Sequence, residues 1–483
     1  MKILFITPEV SPFAKRGGLA DVCASLPKAL LKLGVQVDLI IPFYRCVKEQ
    51  SVSFTKVAED IPVTLGWRQL AADVYQTETK EGIRIFFIAR EEFFDRPSIY
   101  GTNKGAYFDN AERYIFFNKA VLAFVEKIQE KWDIFHCHDW QAALLPVYLK
   151  TYYFGHPTFG LIKTVFTIHN LGYQGTFSAE VFPFTNLPPH LFSINGLEFW
   201  GQVNFLKGGI IFADALTTVS PTYAKEIQTA EYGFGLDGVL RVNVHKLKGI
   251  LNGVDYSEWN PEIDPHIAAN YSVSNLKGKD ICKQDLIKTC GLPLDLEQKP
   301  LLGMVTRLVE QKGIDILLPV IERLIQKETS LVILGEGEKR LEEALKDIAA
   351  RYPSQVCFNL GFDKTLAHKI IAGADMFLIP SKYEPCGLTQ MYSLKYGTLP
   401  IVRNTGGLAD TVTDADLDTG KGTGFKFDSY TPDALWDAIK RALLCYQEHK
   451  TVWHDLVQQA MTCDFSWERS AREYLALYKE LTK

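Results

Sequence analysis

Ile3-Leu4-Phe5-Ile6, followed by Lys15-Arg16-Gly17-Gly18-Leu19-Ala20-Asp21, reads as a buried strand, a glycine pair and the start of a helix. This succession can bring backbone N–H groups up to a phosphate. Glycine permits close approach, and the first amides of a helix have no partner of their own. Asp21 is placed to cap a helix running to Leu33, and Gly34 to end it. The same pentapeptide recurs at Gly406-Gly407-Leu408-Ala409-Asp410, after the apolar run Leu399-Pro400-Ile401-Val402. Two such places, far apart, suggest two α/β lobes serving one phosphorylated ligand. The first copy has Lys15 beside it and suits donor binding. The second has no adjacent Lys and suits a turn that supports the loop around Glu384.

Working outward, short apolar runs recur with helical patterns between them. In the first half they are Val35–Ile41, Ile83–Ile88, Ile134-Phe135, Thr164–Ile168 and Ala215–Val219. In the second half they are Leu301–Val305, Leu331–Leu334, Val356–Asn359 and Met376–Ile379. Near-continuous apolar strands alternating with helices imply parallel sheets buried on both faces. Val63 to Tyr75 reads as a hairpin inserted in the first lobe. A hinge is expected near Val242–Lys248. Residues 1–245 then form the first domain, 246–462 the second, and 463–483 a closing helix that packs back on the first. That helix carries Trp467, Ala471, Tyr474 and Tyr478 at helical spacing.

The bulk numbers exclude several classes. The 483 residues are too many for one compact core. A formal net charge of −5 offers no basic surface to nucleic acid or an anionic membrane. Nine cysteines without a CxxC pair favour a reducing compartment, and the cytoplasm is expected. Pro8 and Glu9 interrupt the first apolar run, so no signal peptide is expected. No apolar stretch reaches the roughly 18 residues that a membrane span needs.

Several segments carry candidate chemistry. Arg307 and Lys312 follow a strand and could neutralise a diphosphate leaving group, the electrostatic term that usually dominates such catalysis. Pro380-Ser381-Lys382-Tyr383-Glu384-Pro385-Cys386-Gly387-Leu388-Thr389 follows another strand. A helix start near Leu388 would aim the amides of Leu388 and Thr389 at an anion, beside the Glu384 carboxylate. Cys386 has no His nearby in sequence to activate it as a nucleophile. His136-Cys137-His138-Asp139-Trp140 invites a zinc reading, but no third and fourth ligand stand out. Hydrogen bonding of a sugar by Asp139 is the better reading. Asp414-Ala415-Asp416-Leu417-Asp418 fails as a calcium loop, with Thr419 and Phe425 where glycine and glutamate are required.

Taken in order, these motifs closely resemble the bacterial glycogen synthase and plant starch synthase family. The resemblance rests on Lys15-Arg16-Gly17-Gly18-Leu19, His136-Cys137-His138-Asp139-Trp140, Thr167-Ile168-His169-Asn170-Leu171 and Leu251-Asn252-Gly253-Val254-Asp255. It rests further on Arg307 with Lys312, Tyr383-Glu384-Pro385-Cys386-Gly387-Leu388 and Lys395-Tyr396-Gly397-Thr398. It implies a GT-B fold, two Rossmann-like domains facing each other across a deep cleft. It implies transfer of glucose from ADP-glucose to the non-reducing 4-hydroxyl of an α-1,4-glucan, with retention of configuration. It implies no metal and no cofactor. Carried over by position, Lys15 with Gly17 and Gly18 should meet the donor. Arg307 and Lys312 should stabilise departing ADP, and Leu388 and Thr389 should hold its outer phosphate. Glu384 should bind glucose hydroxyls and stabilise the developing positive charge. His169, Asn170 and Asn252 should bind the glucose. Tyr100 and Asp139 should shape the acceptor side.

Two positions depart from the wider pattern. Many retaining GT-B enzymes carry a second glutamate eight residues after the first, where this chain has Tyr392. The adenine-stacking position, often Tyr, is here Phe362, which keeps stacking but loses a phenolic hydrogen bond. The alternatives are the same fold using UDP-glucose or another acceptor, or an inactive glucan-binding homologue. A dinucleotide oxidoreductase is disfavoured: residues 13–21 lack the GxGxxG spacing, and Gly335-Glu336-Gly337 is followed by Arg340 where a third glycine would stand.

Overall fold

The computed structural model describes residues 1–102 and 105–483. The chain forms two compact units. The first is Met1–Gly253 together with Trp467–Lys483, and the second is Val254–Ser466.

The first unit is built on β1 (Lys2–Ile6), α1 (Gly18–Lys32), β2 (Gln36–Pro42), β3 (Thr55–Leu65), β4 (Arg68–Glu78) and β5 (Arg84–Ala89). It continues through α2 (Asn110–Ile128), β6 (Ile134–His138), β7 (Lys163–Ile168), β8 (Ala215–Thr218) and β9 (Leu247–Gly249). The strands make one nine-stranded sheet in the order β9-β8-β7-β6-β1-β2-β5-β4-β3. The pairs from β9 to β5 are parallel, and the β3–β4 hairpin adds antiparallel to β5 at one edge. Ile3 to Ile6 of the central β1 are wholly buried, which is why that strand is apolar at every position rather than at alternate ones.

The structure moves several expected boundaries. β9 pairs in parallel with β8, Leu216 opposite Leu247, so residues past 245 still belong to the first sheet and the division falls after Gly253. The inserted hairpin is longer than Val63 to Tyr75 and turns at Gly66-Trp67. β6 runs on through His138 instead of ending at Phe135. Helix α1 starts at Gly18 with Gly17 as its cap residue. Asp21 therefore lies inside the first turn, where its carboxylate meets the Lys15 ammonium rather than capping the helix.

The second unit holds β10 (Leu301–Val305), α3 (Ile314–Ile325), β11 (Ser330–Gly335), β12 (Val356–Leu360), β13 (Met376–Ile379) and α4 (Thr389–Lys395). It is completed by β14 (Leu399–Arg403), α5 (Gly406–Thr411) and β15 (Phe425–Phe427). Its six-stranded sheet has the order β12-β11-β10-β13-β14-β15 and is parallel throughout. Leu302, Ile333, Phe377 and Ile401 fill its core.

The closing helix α6 (Trp467–Leu481) belongs to the first unit. Lys32 of α1 meets Glu468 at 3.3 Å, and the Ser470 hydroxyl donates to the Leu251 carbonyl at 2.6 Å. Residues 463–466, expected with this helix, stay with the second unit, where the Val254 amide donates to Phe465 O at 2.7 Å. Among the described residues no helix is long and apolar enough to cross a membrane.

Candidate active site

In both units the candidate residues gather on loops after the carboxyl ends of parallel strands, where open α/β sheets bind ligands. The Lys15 loop follows β1, Asp139 follows β6, and His169 with Asn170 follows β7. In the second unit the Arg307–Lys312 loop follows β10, Phe362 follows β12 and the Glu384 loop follows β13.

The Lys15 loop is organised by Glu9, which in the sequence shows only as a break in an apolar run. Glu9 is buried. Its carboxylate accepts from the Arg16 amide at 2.6 Å, the Gly17 amide at 3.2 Å and the Tyr100 hydroxyl at 2.6 Å. Burial raises its carboxyl above the ordinary value in spite of those bonds. The Gly17 amide thus has Glu9 as its partner within the loop. The space beside Gly17 is open: a Cβ there would meet nothing within 4 Å. Lys15 stands half-exposed, 2.6 Å from Asp21. Tyr100, expected on the acceptor side, is tied through Glu9 to this same loop.

Asp139, His169 and Asn170 form one cluster. The Asp139 carboxylate accepts the His169 amide at 2.7 Å and also holds the Asn170 amide, while the Asp139 amide donates to Thr167 O at 3.0 Å. Asp139 holds φ +55°, a left-handed backbone that a non-glycine residue keeps only where its surroundings enforce it. Burial, with Glu9 adding to it, pushes the Asp139 carboxyl up to about 7, against the lowering effect of the two amides. His169 is buried, and this moves its ionisation down to about 3, so the ring is neutral. The Asn170 side chain accepts the Gly172 amide at 2.9 Å. Asn252 is buried, and its Oδ1 has no hydrogen-bond partner among the described residues.

In the second unit Lys312 Nζ lies 2.6 Å from Glu384 Oε2, and the Ser381 hydroxyl donates to the same oxygen at 3.0 Å. Arg307 is exposed on the same loop as Lys312. Leu388 is the cap residue of the short helix α4, and Thr389 is its first residue. Phe362 is 77% exposed. Gly406 and Gly407, in the second copy of the pentapeptide, lie against the backbone of Glu384 and Cys386. Tyr392 lies flat on Trp259, with ring centroids 4.1 Å apart, and Trp259 stacks on its other side against His368 at 3.8 Å.

The zinc reading of His136 and His138 gains nothing from the geometry. Both nitrogens of His136 are engaged, Nδ1 with the Tyr478 hydroxyl at 2.8 Å and Nε2 with the Thr167 hydroxyl at 2.5 Å. Among the described residues no group of three or more His, Cys, Asp or Glu is arranged to hold a metal ion. Asp414 is instead paired with Arg441 at 3.1 Å.

Known proteins resemble the chain along its whole length. Residues 2–242 match the family model "Starch synthase catalytic domain", and residues 293–454 match "Glycosyl transferases group 1". A glycogen synthase of Koribacter versatilis is 46% identical over 481 residues, covering 99% of this chain and 98% of that protein. A glycogen synthase of Thermotoga maritima is 46% identical over 485 residues, covering 99% of each. The solved catalytic domain of starch synthase IV from Arabidopsis thaliana, bound to ADP and acarbose, is 35% identical. It matches this fold with a TM-score of 0.92, over 100% of this chain and 99% of that one. With both halves matched and the similarity running end to end, the chain belongs to the glycogen synthase and starch synthase family, glycosyltransferases of the GT-B fold.

Proposed function

We propose that the chain elongates an α-1,4-glucan, transferring glucose from ADP-glucose to the non-reducing 4-hydroxyl with retention of configuration. The observation that carries this reading is the Lys312–Glu384 pair. Breaking a glucosyl–phosphate bond builds negative charge on the diphosphate and positive charge on the sugar. A fixed cation touching a fixed carboxylate offers a partner to each, and such preorganised charge is usually the largest catalytic term. In this reading Lys312 and Arg307 take the diphosphate, so the leaving group's charge is met by side chains. The Leu388 and Thr389 amides hold its outer phosphate, and Phe362 stacks on adenine. Glu384 binds glucose hydroxyls.

From the first unit, Lys15 and the Gly17-Gly18 backbone meet the donor, with the open space beside Gly17 allowing close approach. His169, Asn170 and the unpartnered Oδ1 of Asn252 meet glucose, while Tyr100 and Asp139 border the acceptor. Asp139 is occupied by backbone amides and serves to position, not to attack. The acceptor hydroxyl then adds to the anomeric carbon on the face the diphosphate leaves. The carbon–phosphate-oxygen bond breaks, the new glycosidic bond forms, and the hydroxyl proton passes to the leaving phosphate. Nine cysteines without a CxxC pair suit a reducing compartment, and we place the activity in the cytoplasm.

Support for the donor comes from the starch synthase relative, solved with ADP and acarbose bound. The test supplies labelled ADP-glucose and labelled UDP-glucose separately, each with glycogen and with short maltooligosaccharides. Label should enter glucan from ADP-glucose at the higher rate. Equal or faster use of UDP-glucose overturns the donor assignment.

A further inference from the structure

We propose that His138 is a positioning residue that sets the tautomer of His169, so that His169 presents an N–H to the sugar. His138 Nδ1 lies 3.0 Å from His169 Nε2. The His138 ring rests on the His136 ring, with centroids 4.2 Å apart, and against Phe5 of the central strand. His136 is itself fixed at both nitrogens, by Tyr478 of α6 and by Thr167. The Thr167 hydroxyl continues to that of Thr217 at 2.5 Å. His138 therefore stands on a ring that is held from two sides, and among the described residues its ring bonds to His169 alone.

The direction of the proton follows from what His138 lacks. Burial keeps both rings neutral, so each carries one N–H. His138 Nε2 is buried and meets no partner among the described residues. Buried N–H groups without an acceptor are rarer than buried acceptors without a donor. The proton of His138 accordingly sits on Nδ1 and donates to His169 Nε2. His169 must then carry its own proton on Nδ1, the form less favoured in free histidine, and offers that nitrogen as a donor. The ring nitrogen facing the ligand is set by the bond the other nitrogen makes.

This inference deepens the proposed function and rests on it only where activity is measured. The first experiment uses the full chain with ring-labelled ¹⁵N-histidine and no substrate. The signal lost in His169→Gln should report an Nδ1–H tautomer in the unmutated chain, and an Nε2–H tautomer there overturns the proposal. The second compares two variants at position 138. Asn places an amide N–H near the former Nδ1, and Phe supplies none. We expect His138→Asn to keep kcat/KM for the donor within about threefold, and His138→Phe to lower it roughly 10- to 100-fold with glucan KM unchanged. In His138→Phe the His169 signal should move to Nε2–H. A folded His138→Phe with unmutated kinetics overturns the proposal. Absence of glucose transfer by the unmutated chain would overturn the function instead, and leaves the tautomer measurement valid.

Discussion

A side chain at Gly406 would place its Cβ 1.9 Å from the carbonyl oxygen of Glu384. The neighbouring Gly407 amide donates to that same oxygen at 3.1 Å, and Gly406 itself sits at φ +46°. The second copy of the pentapeptide is therefore the back wall of the Glu384 loop. Gly406→Ala should destabilise the chain by about 1–3 kcal/mol and displace Glu384, lowering turnover at least roughly tenfold. The first copy predicts the opposite pattern. Gly17 has extended backbone and open space beside it, so Gly17→Ala should leave the melting temperature unchanged and raise donor KM. Thermal melts with initial rates check both; equal behaviour of the two variants would refute the distinction.

Lys312→Ala removes the cation 2.6 Å from Glu384. Turnover should fall about 10²- to 10³-fold, the usual cost of losing one preorganised charge partner, while glucan KM stays near its original value. Steady-state kinetics decide this. Near-normal turnover removes Lys312 from the mechanism.

Asp139 gives a pH dependence with a definite sign. Its carboxyl is raised from 3.8 to about 7 in the folded chain. Between those values the native state holds a proton that the unfolded state has lost. The stabilisation linked to that proton is complete below about pH 4 and is lost as pH rises through about 7. Asp139→Asn lacks this titration. Across that window the stability of the unmutated chain, measured against the variant by urea unfolding, should fall. Parallel pH profiles would contradict the raised value.

Phe362 is 77% exposed and contributes little to the core. Phe362→Ala should leave thermal stability unchanged and weaken ADP binding by about 1–3 kcal/mol, the range for stacking a base on an aromatic ring. Titration calorimetry with ADP measures it. Unchanged affinity would place the base elsewhere.

The parallel sheets were legible because strands buried on both faces are written as continuous apolar runs, and most fall within a residue or two of their expected limits. The expected strand stops at Phe135, short of β6, because His136 and His138 look like loop residues. In the fold their rings are buried among Phe5, Tyr478 and each other, so neutral histidine occupies a strand interior. The expected boundary falls too early because the short strand leading to Leu251-Asn252-Gly253 reads equally well as the opening of the second domain. Only its pairing with β8 shows where it belongs. Glu9 was missed because its role depends on contacts with Arg16, Gly17 and Tyr100 that no local pattern displays. The one signal available was a carboxylate between apolar neighbours, Pro8 and Val10, directly after a buried strand. The left-handed backbone of Asp139 has no sequence signature at all.

The most direct test of glucose transfer with retention is proton NMR of the reaction in progress, with ADP-glucose and maltooligosaccharide as substrates. As the anomeric signal of ADP-glucose falls, an internal α-1,4 anomeric signal should grow in equal amount, without free glucose. Growth of a β-linked signal, or conversion of ADP-glucose to free glucose alone, would contradict the account.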